Sequence, residues 1–197
     1  MLYTRFVFDN IADQLQRPGA LGVIPTDTVY GLVARAADPA AVARLYQLKQ
    51  RQAKPGTLIA ANPAQLEALG LKHRYLKAVE QFWPGAVSVV IPTSDPNLQY
   101  LHQAKMSLAV RVTDQPDLQQ LLRQTGPLLT SSANPPDQPT AVTVQQAKTY
   151  FAKEVDFYVD GGDLSQQQPS TVIRVVDDAV EVLRPGAVQI DDDTMKL

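Results

Sequence analysis

Apolar runs of strand length alternate with segments of helical period along the whole chain. Leu21-Gly22-Val23-Ile24 predicts a buried strand, preceded by a short helix over 10–16 that Pro18-Gly19 stops. Further strands are expected at 29–34, 57–61, 87–91, 107–113, 128–131, 170–176 and 180–183. Asp38-Pro39 is a helix start, with an N-cap acid and proline at the first helical position, and Val42, Leu45 and Tyr46 carry the apolar stripe on to Lys49. Helices also fit 63–70, 73–82, 116–124 and 144–151. The mixture predicts an α/β fold (α+β in some schemes): a mostly buried central sheet with helices packed on it. No repeat and no internal boundary is visible, so one domain is expected over 1–188, with 189–197 as an acidic tail.

The chain has 197 residues, enough for one domain with a real core. Its 18 Lys and Arg against 20 Asp and Glu leave a net charge of −2, without the basic excess of proteins that live on nucleic-acid phosphates. There is no cysteine, which removes disulfides, thiolate nucleophiles and thiolate metal sites. The two histidines, His73 and His102, stand in no ligand spacing and are expected at the surface. The N-terminus lacks the pattern of a signal peptide, and no apolar run approaches the ~20 residues of a membrane span, so the cytoplasm is the expected compartment.

Walker A, dinucleotide, nucleophile-elbow and zinc-protease signatures are absent, so a nucleotide must be held by basic and hydroxyl side chains instead. Five segments offer such groups. Pro25-Thr26-Asp27-Thr28-Val29-Tyr30-Gly31-Leu32 follows a strand and makes a polar pocket wall, although a turn bonding its own backbone accounts for the same residues. Lys49 and Arg51, with Lys54 close behind, pair a point charge with a planar fork suited to polyphosphate; solvated charges at a helix C-terminus are the alternative. In Ser107-Leu108-Ala109-Val110-Arg111-Val112, alternation puts Leu108, Val110 and Val112 on one face and Ser107, Ala109 and Arg111 on the other. Ser107 and Arg111 then lie ~13 Å apart, a span for one extended ligand, unless the strand is half exposed and Arg111 is in water. Thr130-Ser131-Ser132-Ala133-Asn134 ends an apolar strand, where ligands of open sheets collect, or is simply a polar exit. Ser170-Thr171-Val172-Ile173 and Leu183-Arg184-Pro185-Gly186 add a hydroxyl strand start and a cation at a Pro-Gly turn.

Together and in this order, from about Leu21 to Gly186, these segments resemble the YrdC-like (TsaC-type) threonylcarbamoyl-adenylate synthases of tRNA modification, in their short single-domain bacterial form. The resemblance implies a YrdC/RibB-like fold, three layers with a mixed, twisted central sheet between helices. It implies a nucleotidyltransferase that joins L-threonine, bicarbonate and ATP into threonylcarbamoyl-AMP and pyrophosphate, with Mg2+ arriving on the ATP phosphates. Partner proteins would then carry the threonylcarbamoyl group to tRNA.

By the same resemblance, Lys49, Arg51, Ser132 and Asn134 form the catalytic set. Lys49, Arg51, Lys54, Ser107, Asn134, Val142 and Arg184 hold ATP. Thr28, Ile59, Arg111, Ser132 and Ser170 hold threonine, with Arg111 on its carboxylate. The chain departs from the family at Gln52, where proline is common, in a segment to Lys54 that is one residue short, and at Pro135-Pro136-Asp137, where Ser-Gly is common. The competing reading is an RNA-binding or ribosome-maturation module on the same fold; weak tRNA contact fits either.

Overall fold

Asp38 begins the second helix as the sequence predicts: its carboxylate accepts from the N–H groups of Ala40 and Ala41, and Pro39 occupies the first turn. The structure, a computed structural model, describes residue 8 and residues 10–50, 54–177 and 179–190. In chain order the elements are α1 (Ile11–Gln16), β1 (Leu21–Ile24), β2 (Gly31–Arg35), α2 (Pro39–Leu48), β3 (Thr57–Ala60), α3 (Pro63–Leu69) and α4 (His73–Lys77). There follow β4 (Val87–Pro92), α5 (Gln99–His102), β5 (Ser107–Val112), α6 (Pro116–Thr125), β6 (Leu128–Ser132), α7 (Val144–Phe151), β7 (Phe157–Tyr158), β8 (Thr171–Val176) and β9 (Ala179–Arg184).

One mixed sheet runs in the order β7-β1-β2-β6-β3-β5-β4-β8-β9. Parallel pairs (β1 with β7, β3 with β5, β4 with β8) sit among antiparallel ones. The sheet separates two apolar clusters. Leu21, Val23, Leu32, Leu58, Leu108, Val110, Val112, Val89 and Ile173 point to one face, where α2, α3, α4, α5 and α7 cover them. Ile24, Val33, Ile59, Leu128 and Phe157 point to the other, against Ile11, Ala12 and Leu15 of α1 and Leu118, Leu121 and Leu122 of α6.

The second face is only partly covered, and that positions the site. Register aligns Leu128, Ile59 and Arg111 in one row across β6, β3 and β5. The next row is Thr130, Thr57 and Ala109. Where the row is Leu and Ile, α1 and α6 pack on it. Where it turns to hydroxyls, an apolar helix face finds nothing to bury against, and the sheet stays open.

Several expectations are corrected. The helix expected over 73–82 stops at Lys77 and resumes as a 3-10 turn at Glu80–Phe82. The second strand begins at Gly31, not Val29. The short α5 and β7 had no expectation. His102, expected at the surface, is 3% exposed, because the single turn of α5 lies against α2 and turns Leu101 and His102 inward together. Val188 and Ile190 pack against the core; residues 191–197 of the expected tail lie outside the described residues.

Candidate functional site

The uncovered part of the sheet is the floor of a cleft with a cavity of about 220 Å3, several times the ~30 Å3 that one water occupies. Gly31, Thr57, Ala109, Arg111, Thr130 and Ser132 line it from the strands. Thr26 and Thr28 come from the β1–β2 turn, Pro55 and Gly56 from before β3, and Pro169, Ser170 and Arg184 from the C-terminal side. Gly31 and Gly56 keep this floor low. A Cβ at Gly31 would lie 2.5 Å from Thr130 Oγ1, and one at Gly56 2.6 Å from the Thr130 carbonyl.

Arg111 is the cation at the bottom. The alternation read from β5 holds: Leu108, Val110 and Val112 enter the core, and Ala109 and Arg111 face the cleft. The guanidinium is not in water. Nη2 donates to Asp27 Oδ1 at 2.8 Å, with side-chain exposures of 4% and 2%. Nη1 reaches Ser88 Oγ at 3.4 Å. Ser88 Oγ lies 2.9 Å from Ser170 Oγ, which accepts from Arg184 Nη2 at 3.2 Å. A relay of two buried serines therefore joins the two cations across the floor. Arg184 Nη2 also donates to the Ser170 carbonyl at 2.7 Å, and the Ala187 N–H bonds the Pro169 carbonyl at 2.9 Å, so the chain after β9 clasps the start of β8.

The 25–32 segment is both a turn and a wall. Thr26 Oγ1 donates to the Val29 carbonyl at 2.7 Å, so the 3.0 Å contact with Thr28 Oγ1 takes its proton from Thr28. Thr28 then keeps its acceptor capacity toward the cleft. Tyr30 turns to the opposite face, fully buried, where its hydroxyl donates to the Gly162 carbonyl at 2.9 Å and accepts the Gly161 N–H at 2.7 Å. Burial pushes that phenol's pKa above its ordinary value, outweighing the Gly161 N–H, and the Asp160 charge adds to the rise.

Lys49 lies at the end of α2, 4% exposed. Its ammonium donates to the Ser132 carbonyl at 2.9 Å, to Asn134 Oδ1 at 3.0 Å and to the Asn134 carbonyl. Asn134 Oδ1 also accepts from Ser132 Oγ at 2.6 Å, and its Nδ2 donates to the carbonyls of Gln138 at 2.6 Å and Pro135 at 3.2 Å. The departure at 135–137 is thus closed by Asn134 itself into a tight turn, with Asp137 at φ 61°.

Of the residues singled out from the sequence, Thr28, Arg111, Ser132, Ser170 and Arg184 meet at the cleft. Lys49 and Asn134 lie behind its wall, one contact from Ser132. Ile59 is fully buried beside Arg111 in register and joins the α1–α6 cluster. Lys54 is exposed next to Pro55, and Ser107 is at the far end of β5, opposite Pro92. Val142 bonds the Gln146 side chain and the Leu164 N–H and is not in the cleft wall. Arg51 and Gln52 fall outside the described residues. Sequence reasoning missed Ser88 and Thr57 as site residues. Their only signal was a hydroxyl in an otherwise apolar strand. Among the described residues no three His, Asp or Glu converge as metal ligands, and no helix is long and apolar enough to cross a membrane.

Comparison with known proteins places these features in context. The family model Sua5_yciO_yrdC, described as telomere recombination, matches residues 14–186. A Pseudomonas aeruginosa protein named threonylcarbamoyl-AMP synthase is 34% identical over 178 residues, 89% of this chain and 95% of that one. A solved P. abyssi Sua5 variant superposes with a TM-score of 0.81 at 28% identity, over 90% of this chain and 55% of that chain. A P. abyssi Sua5 structure in complex with L-threonine gives 0.78 at 29% identity, over 89% and 53%. The chain therefore spans about half the length of those solved proteins.

Proposed function

The chain belongs to the Sua5/YciO/YrdC family, and on that premise we propose that it is a threonylcarbamoyl-AMP synthase, an ATP-using nucleotidyltransferase. The observation that carries this reading is Arg111 fixed at the floor of a hydroxyl-lined cleft with Arg184 across it. A guanidinium takes a carboxylate through two parallel N–H bonds, and Thr28, Ser132 and Ser170 surround it with groups able to bond an amine or a hydroxyl. Threonine binds there, with Ile59 fixing the strand beside Arg111. The triphosphate lies along the side bounded by Arg184, Ser132 and the Lys49–Asn134 turn; the family resemblance adds Arg51, Lys54, Ser107 and Val142 to the nucleotide set.

The chemistry needs no protein nucleophile. Threonine's amine, having lost a proton, adds to carbon dioxide and gives up a second proton to form a carbamate; from bicarbonate, the bond from carbon to the hydroxyl oxygen breaks and water leaves with that proton. A carbamate oxygen attacks the α-phosphorus, the bond to the β-phosphate oxygen breaks, and pyrophosphate leaves with its electron pair. What the residues supply is orientation and charge neutralisation, the main terms for transfer at phosphorus. We assign Mg2+ to the ATP phosphates, as part of the substrate. The product would be consumed by proteins that transfer the threonylcarbamoyl group to tRNA, which puts the reaction in the cytoplasm.

The test is pyrophosphate release from ATP, threonine and bicarbonate, with each substrate omitted in turn. Release that requires all three is expected. Release that ignores threonine, or none at all, overturns the reading in favour of an RNA-binding module.

A further inference from the structure

A guanidinium on a cleft floor receives phosphate as readily as carboxylate, because both offer paired oxygens to its planar fork. In a cleft that takes a triphosphate and an amino acid together, an unbalanced Arg111 would be a trap for the wrong ligand. Asp27 supplies the counter-charge. The pair is almost wholly shielded from water, yet it is a poor hydrogen-bond network: Asp27 Oδ2 and Arg111 Nε are buried without a hydrogen-bond partner among the described residues. A carboxylate retained only for structure is normally bonded through both oxygens, and a buried ion pair stabilises a fold no better than apolar residues of similar volume. Holding Arg111 in place does not require the acid either, since strand β5 fixes its backbone and Ser88 meets Nη1.

We propose that Asp27 is the specificity-determining residue of this end of the cleft: its carboxylate cancels the charge of Arg111, so that the site accepts an amino-acid carboxylate and turns phosphate away. The discrimination follows from charge alone. At a given distance a carboxylate repels a phosphate dianion twice as strongly as a monoanion, and it attracts the ammonium of a zwitterion. Shielding from water enlarges both effects. Triphosphate is thereby kept to the Arg184 side, and the two substrates meet in one orientation.

This assignment rests on the reading that threonine occupies the Arg111 end, and the experiment separates the two. Threonine binding to the intact chain is measured by calorimetry without ATP, in rising inorganic phosphate, for wild type, Asp27→Asn and Asp27→Glu. In wild type, phosphate is expected to leave the threonine Kd unchanged. In Asp27→Asn, threonine binds more weakly and phosphate competes with it, raising the apparent Kd about tenfold or more, about 1.4 kcal/mol. Asp27→Glu restores resistance to phosphate. A residue of merely structural importance would weaken threonine without creating a phosphate site. Phosphate that competes equally in wild type and Asp27→Asn overturns the proposal. Competition in wild type alone does so as well, and that measurement needs no variant. Asp27→Ser replaces Asp27→Asn if the latter does not fold. If wild type binds no threonine, the substrate reading fails; direct phosphate titration then decides this proposal, which requires binding in the neutral variant and none in wild type.

Discussion

Lys49 and Asn134 are 85 residues apart in sequence and in contact in the fold, with Nζ donating to Oδ1 at 3.0 Å. The same ammonium bonds the Asn134 and Ser132 carbonyls, so the C-terminus of α2 holds the exit of β6 in one conformation. A lysine expected to grip phosphate directly is, in this geometry, the support of the turn that carries Ser132 into the cleft. Lys49→Ala removes the ammonium from the partly buried Ser132 and Asn134 carbonyls and from Asn134 Oδ1 and is expected to cost about 1–3 kcal/mol of stability by chemical denaturation. It should also weaken ATP binding in calorimetry, because Asn134 and Ser132 move with the turn. Lys49→Arg should not rescue either readout, since a planar fork does not fit three acceptors gathered round a compact ammonium. Unchanged nucleotide affinity in Lys49→Ala would take both Lys49 and this turn out of the nucleotide site.

Arg111→Ala is expected to raise the threonine requirement of pyrophosphate release by about ten- to one-hundredfold, the equivalent of a lost charge-assisted hydrogen bond at about 1.5–3 kcal/mol. The ATP requirement should change far less. The single variant leaves Asp27 buried without its partner, at a stability cost of about 3–5 kcal/mol. Asp27→Asn with Arg111→Gln removes both charges and should recover most of that stability without recovering threonine affinity, which separates folding from recognition. Equal effects of Arg111→Ala on both substrates would mean that the division of the cleft is wrong.

What was legible in the sequence was periodic or chemically explicit. The period-two alternation of β5 gave Arg111 its face, and Asp38-Pro39 gave the start of α2, because both are decided within a few residues. Elements too short to carry a period were missed: the two residues of β7, held by parallel pairing with β1, and the single turn of α5 that buries His102. Pairings across the sheet left no trace. Nothing near Arg111 in sequence announces Asp27, 84 positions earlier, or Ser88, which is fully buried between Arg111 and Ser170. The five-segment match named residues of which Thr28, Arg111, Ser132, Ser170 and Arg184 share one cleft, and only register shows which of them touch its interior.

Gly186 offers a test of the C-terminal clasp. A Cβ there would lie 2.2 Å from the Pro169 carbonyl oxygen and 2.6 Å from the Ser170 carbonyl. These are backbone atoms and cannot rotate away, so the chain after β9 must shift as a whole. Gly186→Ala is expected to lower stability by about 1–3 kcal/mol, as overpacking does. It should also pull Arg184 from Ser170, weakening ATP binding more than threonine binding. Loss of stability with both affinities intact would show that Arg184 is not tied to the nucleotide through this clasp.

Asp38 links the fold to pH. Burial works against its ionisation, but the N–H groups of Gly19, Ala41 and Ala40 and the charge of Arg35 outweigh burial and hold its carboxyl below the ordinary value of 3.8. Because the folded value is the depressed one, the stabilisation is complete above 3.8 and is lost as pH falls through the lower folded value. Asp38→Ala removes the cap of α2 and the bond to the Gly19 N–H together. At neutral pH it should cost about 0.5–2 kcal/mol, the usual worth of an N-cap. The gap to wild type should then narrow in denaturation curves taken at falling pH, as acid removes from wild type the charge that the variant already lacks. A gap that stays constant down through that range would mean that the neutral side chain caps the helix as well as the ionised one, and that the depressed value reflects no net stabilisation of α2.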